Sequence, residues 1–173
     1  MRLIEPSEEY ARQISAYRKE FLDSGDSMDG TGALRRMEDA AEWIRYSKQL
    51  KDPATVTQNW VPSTQYMLVR EEDNKIVGMI QLRHCFNQYL EEFGGHIGYS
   101  VAPSERRKGY CALMLKMLLE KCREMGMDKV LLTCIKGNEG SKRTILINGG
   151  VFETTVFEPH GEVWLERYWI HLN

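Results

Sequence analysis

Arg106-Arg-Lys-Gly-Tyr-Cys111 places three cations and a glycine directly before a run in which Cys111, Leu115, Leu118, Cys122 and Met125 recur at steps of four and three. That periodicity predicts a helix beginning just after Gly109. The first N–H groups of a helix have no intrahelical acceptor, and its N-terminus carries partial positive charge, so the chemistry on offer is anion binding. Gly109 allows a phosphate to approach the backbone closely, while Arg106, Arg107 and Lys108 add charge. The segment fits neither the dinucleotide fingerprint nor the P-loop pattern. A basic helix start of this kind can also be simply solvated.

The elements that would hold this loop are legible on both sides of it. His96 to Val101 reads as a strand, announced by Gly94-Gly95 and stopped by Pro103. Alternation along it puts His96, Gly98 and Ser100 on one face and Ile97, Tyr99 and Val101 on the other. Lys129-Val-Leu-Leu-Thr-Cys-Ile135 is an apolar run typical of a strand buried on both faces. The unit is therefore strand, basic loop, helix, strand.

Farther out, Met1 to Ile4 suggests a short strand, and Pro6-Ser7-Glu8-Glu9 suits the start of a helix reaching about Phe21. Three glycines and three aspartates between Asp23 and Gly32 predict a mobile surface loop, which could gate an acceptor site or attract a cation, although flexibility alone would select the same composition. Leu34, Met37, Ala41, Ile44 and Leu50 recur at helical spacing and predict a second helical stretch. Tyr66–Arg70 and Lys75–Arg83 flank a polar turn and read as an antiparallel hairpin. Asn138–Asn148 predicts a shorter helix closed by Gly149-Gly150, and Val151–Phe157 with Val163–His171 a final hairpin. The order implies an α/β (α+β) fold, with a mixed, mostly antiparallel, twisted sheet of about six to seven strands flanked by helices.

A length of 173 residues matches one domain, 1–173. The 23 Lys and Arg against 25 Asp and Glu leave a net charge of -2, which excludes a chain-wide attraction to nucleic acid or anionic membranes. No signal-peptide pattern and no spanning apolar run is present. Cys85, Cys111, Cys122 and Cys134 show no CxxC pairing, so the expectation is buried free thiols in a cytoplasmic protein, with no disulfide framework and no metal site.

Arg106-Arg-Lys-Gly-Tyr-Cys111 resembles the Arg/Gln-x-x-Gly-x-Gly/Ala loop of the GNAT acetyltransferase superfamily. The likeness extends to Gly98-Tyr-Ser-Val101, the helix and strand that follow, Asn138-Glu-Gly-Ser141 and Gly150-Val-Phe152, about the central third of the chain. The resemblance implies transfer of an acetyl group from acetyl-CoA to an amine, with no metal. Tyr99 and Val101 backbone groups would then pair with the pantetheine arm. Arg106, Arg107, Lys108, Gly109, Tyr110, Cys111 and Ala112 would wrap the pyrophosphate, and Asn138 and Ser141 would contact the coenzyme farther along. Tyr99 or Ser100 N–H would be nearest the thioester oxyanion. Cys111 departs from the usual glycine or alanine but is small; a role as nucleophile suits this position less than packing does.

An acceptor amine of pKa near 10.4 must lose its proton, at a cost of roughly 4.6 kcal/mol at pH 7, so a base or water relay is expected. Glu92 is the first candidate, with His96 and His84 beside it, each of which could instead be structural. Many family members carry a tyrosine acid in the helix after the asparagine; Leu146 stands at that position here, leaving Ser141 or Tyr110 as substitutes. Because a thiolate of pKa near 8.5 is a good leaving group, the missing acid is worth only about 2 kcal/mol. The lost tyrosine also admits a non-catalytic acyl-CoA-binding module, and the basic loop with Lys142-Arg143 admits an RNA-associated protein, which the near-neutral charge disfavours. The acceptor itself, small molecule or peptide, is not legible. The aromatic terminal strand, with Trp164, Tyr168 and Trp169, suits core packing or a homodimer interface.

Overall fold

The computed structural model describes residues 1–56 and 59–172. Among the described residues there are seven strands: β1 (Arg2–Ile4), β2 (Ser63–Arg70), β3 (Lys75–Arg83), β4 (Ile97–Val101), β5 (Lys129–Ile135), β6 (Val151–Glu158) and β7 (Val163–His171). Among the same described residues four α-helices accompany them: α1 (Ala11–Ser24), α2 (Ala40–Lys51), α3 (Tyr110–Glu124) and α4 (Glu139–Ile147). The strands form two sheets, in the orders β1-β2-β3-β4 and β5-β7-β6, and every pairing within them is antiparallel. The α/β class and the strand count agree with the sequence reading.

The two sheets meet where β4 begins. His96 N–H donates to Leu131 O at 2.8 Å, and Leu131 N–H donates to His96 Nδ1 at 2.9 Å. Beyond this clasp β4 has no strand on its second edge among the described residues. That free edge is decisive for the site, because antiparallel pairing alternates its hydrogen-bonded residues. Arg83 N–H donates to His96 O and Ala102 N–H to Val77 O, so the even-numbered residues of β4 face β3. The N–H and C=O groups of Ile97, Tyr99 and Val101 consequently point away from β3, into the gap between the sheets.

Two apolar clusters hold the layers. Ile80, Leu82, Ile97, Met114, Leu118, Val130 and Tyr168 lie in a core centred on α3. Tyr10, Ile14, Phe21, Trp43, Ile44, Met67 and Met79 pack α1 and α2 on the opposite face. Helix α3 needs no elaborate explanation: its apolar residues fall on one stripe, and Met114, Leu115, Leu118 and Cys122 are fully buried.

Three expectations are corrected. The second helix starts at Ala40 and not near Leu34, because the Asp39 side chain caps it, accepting from Ala41 N–H at 2.8 Å. Leu34 is buried from a turn instead. The glycine- and aspartate-rich segment is not a free surface loop: Met28, Gly30 and Thr31 are buried, Gln65 Nε2 donates to Gly30 O at 2.8 Å, and Trp43 Nε1 donates to Thr31 O at 2.9 Å. Finally, Cys85 is exposed and Cys111 only partly buried, so two of the four thiols are not core residues. Among the described residues no helix is long and apolar enough to cross a membrane.

Candidate active site

The strand–loop–helix unit opens onto a cavity of about 970 Å3 at the free end of β4, bordered by the loop from Glu105 to Ala112 and by the first turns of α4. Its size lies at the upper end of small-molecule pockets, roughly 300–1,000 Å3. Arg107 adopts a left-handed conformation with φ 64° and Gly109 another with φ 80°. These turns leave the N–H groups of Arg107, Lys108, Gly109, Tyr110, Cys111 and Ala112 without a backbone acceptor among the described residues; the first bond of the helix is Leu113 N–H to Gly109 O, 3.2 Å. No side chain caps α3. A row of unpaired donors at an uncapped helix N-terminus is a cradle for a phosphate or pyrophosphate.

The surrounding cations divide by their partners. Arg106 lines the cavity, but its guanidinium is held by Asp26 at 2.7 Å and by Val101 O at 3.3 Å. Lys108 turns away to Glu105, 2.8 Å, and does not border the cavity, so only its backbone belongs to the cradle. Glu105 is a buried anchor for Lys108, Lys75 and Arg70, which hold its carboxyl down at about 2. Arg107 and Arg143 line the cavity without an ion-pair partner among the described residues.

On the α4 side, Asn138 caps the helix by accepting from Ser141 N–H at 3.1 Å. The Ser141 hydroxyl lies 2.8 Å from Tyr99 OH, which bridges β4 to α4. Burial raises the Tyr99 phenol well above its ordinary pKa, keeping it protonated. Cys111 also borders the cavity, but burial pushes its thiol up to about 11, with a Thr144 hydrogen bond opposing. A thiol so protonated is a poor nucleophile, in keeping with a packing role. Leu146 is 48% exposed; the cavity face of α4 carries Arg143, Thr144 and Ile147.

Tyr99, Ser100, Val101, Arg106, Arg107, Gly109, Tyr110, Cys111, Ala112, Asn138 and Ser141 thus border one cavity, as the sequence brought them together. Three of the proton-transfer candidates do not. Glu92 sits exposed on a π-helical turn, Leu90–Gly94, with Gln88 Nε2 3.4 Å from its carboxylate. His84 Nε2 pairs with Thr64 Oγ1 at 2.8 Å. His96 uses Nδ1 in the inter-sheet clasp and stacks on Phe86, ring centroids 4.0 Å apart. Of the two amides proposed for the oxyanion, Ser100 N–H faces β3, leaving Tyr99 N–H on the open edge. Asp26, Ser27 and Asp29 also form cavity wall; the sequence offered their loop as one that could gate an acceptor site or attract a cation, but singled out none of its residues.

His96 makes a stability prediction. Burial and the Arg83 charge depress its imidazole to about 4, against about 6.5 in the unfolded chain. Between these values the unfolded state binds more protons, so His96 contributes its full stability above pH 6.5 and loses it progressively as pH falls toward 4, a change of about 3 kcal/mol. Urea unfolding from pH 7 to 4 should show that slope, and His96→Asn, which retains an acceptor at the Nδ1 position, should flatten it. An equal slope in both proteins would refute the assignment.

Comparison with known proteins tests the same arrangement. The Acetyltransferase (GNAT) family model matches residues 34–145. No curated protein sequence matches the chain significantly. The structure of ribosomal-protein-S5-alanine acetyltransferase from Vibrio fischeri is similar at TM-score 0.73 and 15% identity, over 99% of this chain and 92% of that one. RimJ from Mycobacterium smegmatis, in complex with CoA-disulfide, gives 0.73 and 16%, over 98% and 80%. A mutant of spermidine N-acetyltransferase SpeG from Vibrio cholerae gives 0.67 and 15%, over 99% and 95%. The matched segment runs through the unpaired-donor loop, the free strand edge and the start of α4, and it spans most of the molecule: the chain belongs to the GNAT acetyltransferase family.

Proposed function

We propose that the protein transfers the acetyl group of acetyl-CoA to a primary amine by direct attack within a ternary complex. The observation that carries this reading is the continuity of the six unpaired N–H groups of residues 107–112 with the free edge of β4 through one cavity. The donor row suits the pyrophosphate. Tyr99 and Val101 supply N–H and C=O groups spaced along an extended edge, as an amide-bearing pantetheine arm requires. Arg107 and Arg143 add the uncompensated charge. Acetyl-CoA supplies the activated acyl group; the protein supplies orientation and electrostatics.

At the reacting end Tyr99 N–H is the donor available to a developing oxyanion. The Tyr99 and Ser141 hydroxyls, 2.8 Å apart, form the proton path to the departing thiolate, a task the exposed Leu146 cannot perform. The acceptor is a primary amine of a small molecule or peptide; the similar proteins are named for ribosomal-protein-S5-alanine and for spermidine. Cytoplasmic location and homodimerisation belong to the same proposal. For the dimer, the support is edge strand β6 and its neighbour β7, where Phe152, Phe157 and Trp164 are each about half exposed.

A calorimetric titration with acetyl-CoA, with ATP and NAD as controls, tests the donor; selective binding supports the reading and its absence removes it. Tyr99→Phe should preserve that binding and lower kcat by up to about thirtyfold, the equivalent of about 2 kcal/mol of proton donation. An unchanged kcat would take Tyr99 out of the proton path.

A further inference from the structure

Arg83, the last residue of β3, shares with Arg107 and Arg143 the lack of an ion-pair partner among the described residues but, unlike them, is held by backbone carbonyls and does not line the phosphate cavity. Arg70, Arg106 and Arg167 each pair with a carboxylate within 3 Å. The partly buried Arg83 has none within ion-pair distance among the described residues; its NH1 donates only to Gly94 O, 2.9 Å, and Gly95 O, 3.1 Å. Neutral carbonyls orient a guanidinium without cancelling its charge, and burial lowers its proton affinity while the nearby Asp29 carboxylate opposes that effect. A guanidinium has five N–H donors in a fixed fork, and among the described residues NH2 has no hydrogen-bond acceptor.

The position of that free fork matters. A side chain on Gly98 would come within 3.4 Å of Arg83 NH2, and the same point of Gly98 lies 3.2 Å from Gly30 N. Arg83 therefore flanks β4 at Gly98, beside the wall formed by the 25–32 segment, in which Asp29 borders the cavity. It is three residues, about 10 Å of strand, upstream of Val101, where β4 runs out toward the phosphate cradle. It is one residue from Tyr99, whose N–H faces the transfer point. This separates Arg83 from the coenzyme phosphates and puts it on the acceptor's side.

We propose that Arg83 binds an anionic group of the acceptor, so that the amine acetylated belongs to a molecule also carrying a carboxylate or phosphate, with Asp29 attracting the ammonium end. The assignment rests on the acetyltransferase reading. It makes Arg83 a specificity-determining residue, with fork geometry suited to bidentate recognition of either anion.

The test is steady-state acetylation by the full chain with three sets of acceptors: free L-amino acids, aminoalkyl phosphates, and uncharged or cationic amines represented by amino-acid amides and spermidine. One anion-bearing set is expected to show at least a tenfold higher kcat/KM than the third, and which one identifies the anion. Arg83→Met should raise KM for that set at least tenfold while acetyl-CoA affinity holds, and Arg83→Lys should recover part of the loss. Preference for amides or spermidine, acetylation of neither anionic set, or an equal loss on all sets in Arg83→Met overturns the assignment. Should Arg83→Met fail to fold, the wild-type preference and Arg83→Lys still decide. Wild-type protein that binds no acetyl-CoA overturns the function reading and this one with it, whereas binding with acetylation only of the third set overturns this one alone.

Discussion

Gly109→Val should lower acetyl-CoA affinity by at least two orders of magnitude, about 2.7 kcal/mol, while the protein remains folded. The two effects separate because of where this glycine stands. A Cβ on Gly109 meets nothing within 4 Å, so no core atom is displaced. Its φ of 80° costs an L-residue about 1–2 kcal/mol, corresponding to a loss of roughly 2–8 °C in Tm. The ligand meets a different situation: Gly109 borders the cavity beside the unpaired N–H groups, so its added side chain falls in open space at the cradle. Valine would occupy that space and, by relaxing the left-handed turn, swing neighbouring N–H groups out of line. Calorimetry with acetyl-CoA and a thermal melt read the two effects independently. Affinity within twofold of wild type would show that the helix start is merely solvated.

Gly30→Ala should do the reverse, damaging the fold first. Gly30 has φ 70°, and a Cβ there would overlap the Gly98 carbonyl and lie 2.5 Å from Tyr99 Cα. These are backbone atoms of a paired strand, which cannot swing aside as a long side chain can. Left-handed strain of about 1–2 kcal/mol and overpacking of about 1–3 kcal/mol combine to roughly 3 kcal/mol, or about 6–12 °C in Tm. The alternative to strain is detachment of the segment from β4, which forfeits the Gln65 bond to Gly30 O and withdraws Asp29 from the cavity wall. Acceptor KM should rise in either case, with acetyl-CoA affinity less affected. A melt unchanged within 1 °C would mean that the segment is free to move, as its composition alone suggested.

The contrast between these two glycines shows what kind of information each level held. Gly109 was legible because the signal is local: a basic tripeptide, a glycine and a helical period stand within a few positions, and a helix start has unpaired donors wherever it occurs. The same locality made β3, β4, β5 and α4 readable, including the alternation that sends Ser100 toward Tyr17, whose OH lies 3.0 Å from Ser100 O, and Tyr99 toward Ser141. Gly30 was misread because glycine and aspartate signal a turn but not what the turn packs against; its partner, Gly98, lies 68 positions away. Leu34 was misread for a related reason, since its burial came from a turn and only coincidentally continued the period of α2.

Side-chain allegiance was likewise beyond local pattern. Lys108 belonged by sequence to the anion loop, yet the buried Glu105 carboxylate, which also pairs with Lys75 and Arg70, draws its side chain away. His96 carried the right chemistry for a base, but its acceptor nitrogen is spent holding two sheets together. What the sequence alone determined was the element order, the strand–loop–helix unit and the donor-rich turn, because these depend on residues adjacent in the chain. Which edge of β4 stays open, which cations remain unpaired and which segment walls the acceptor side were decided only by the tertiary structure. Each is a choice among partners that only folding brings within reach.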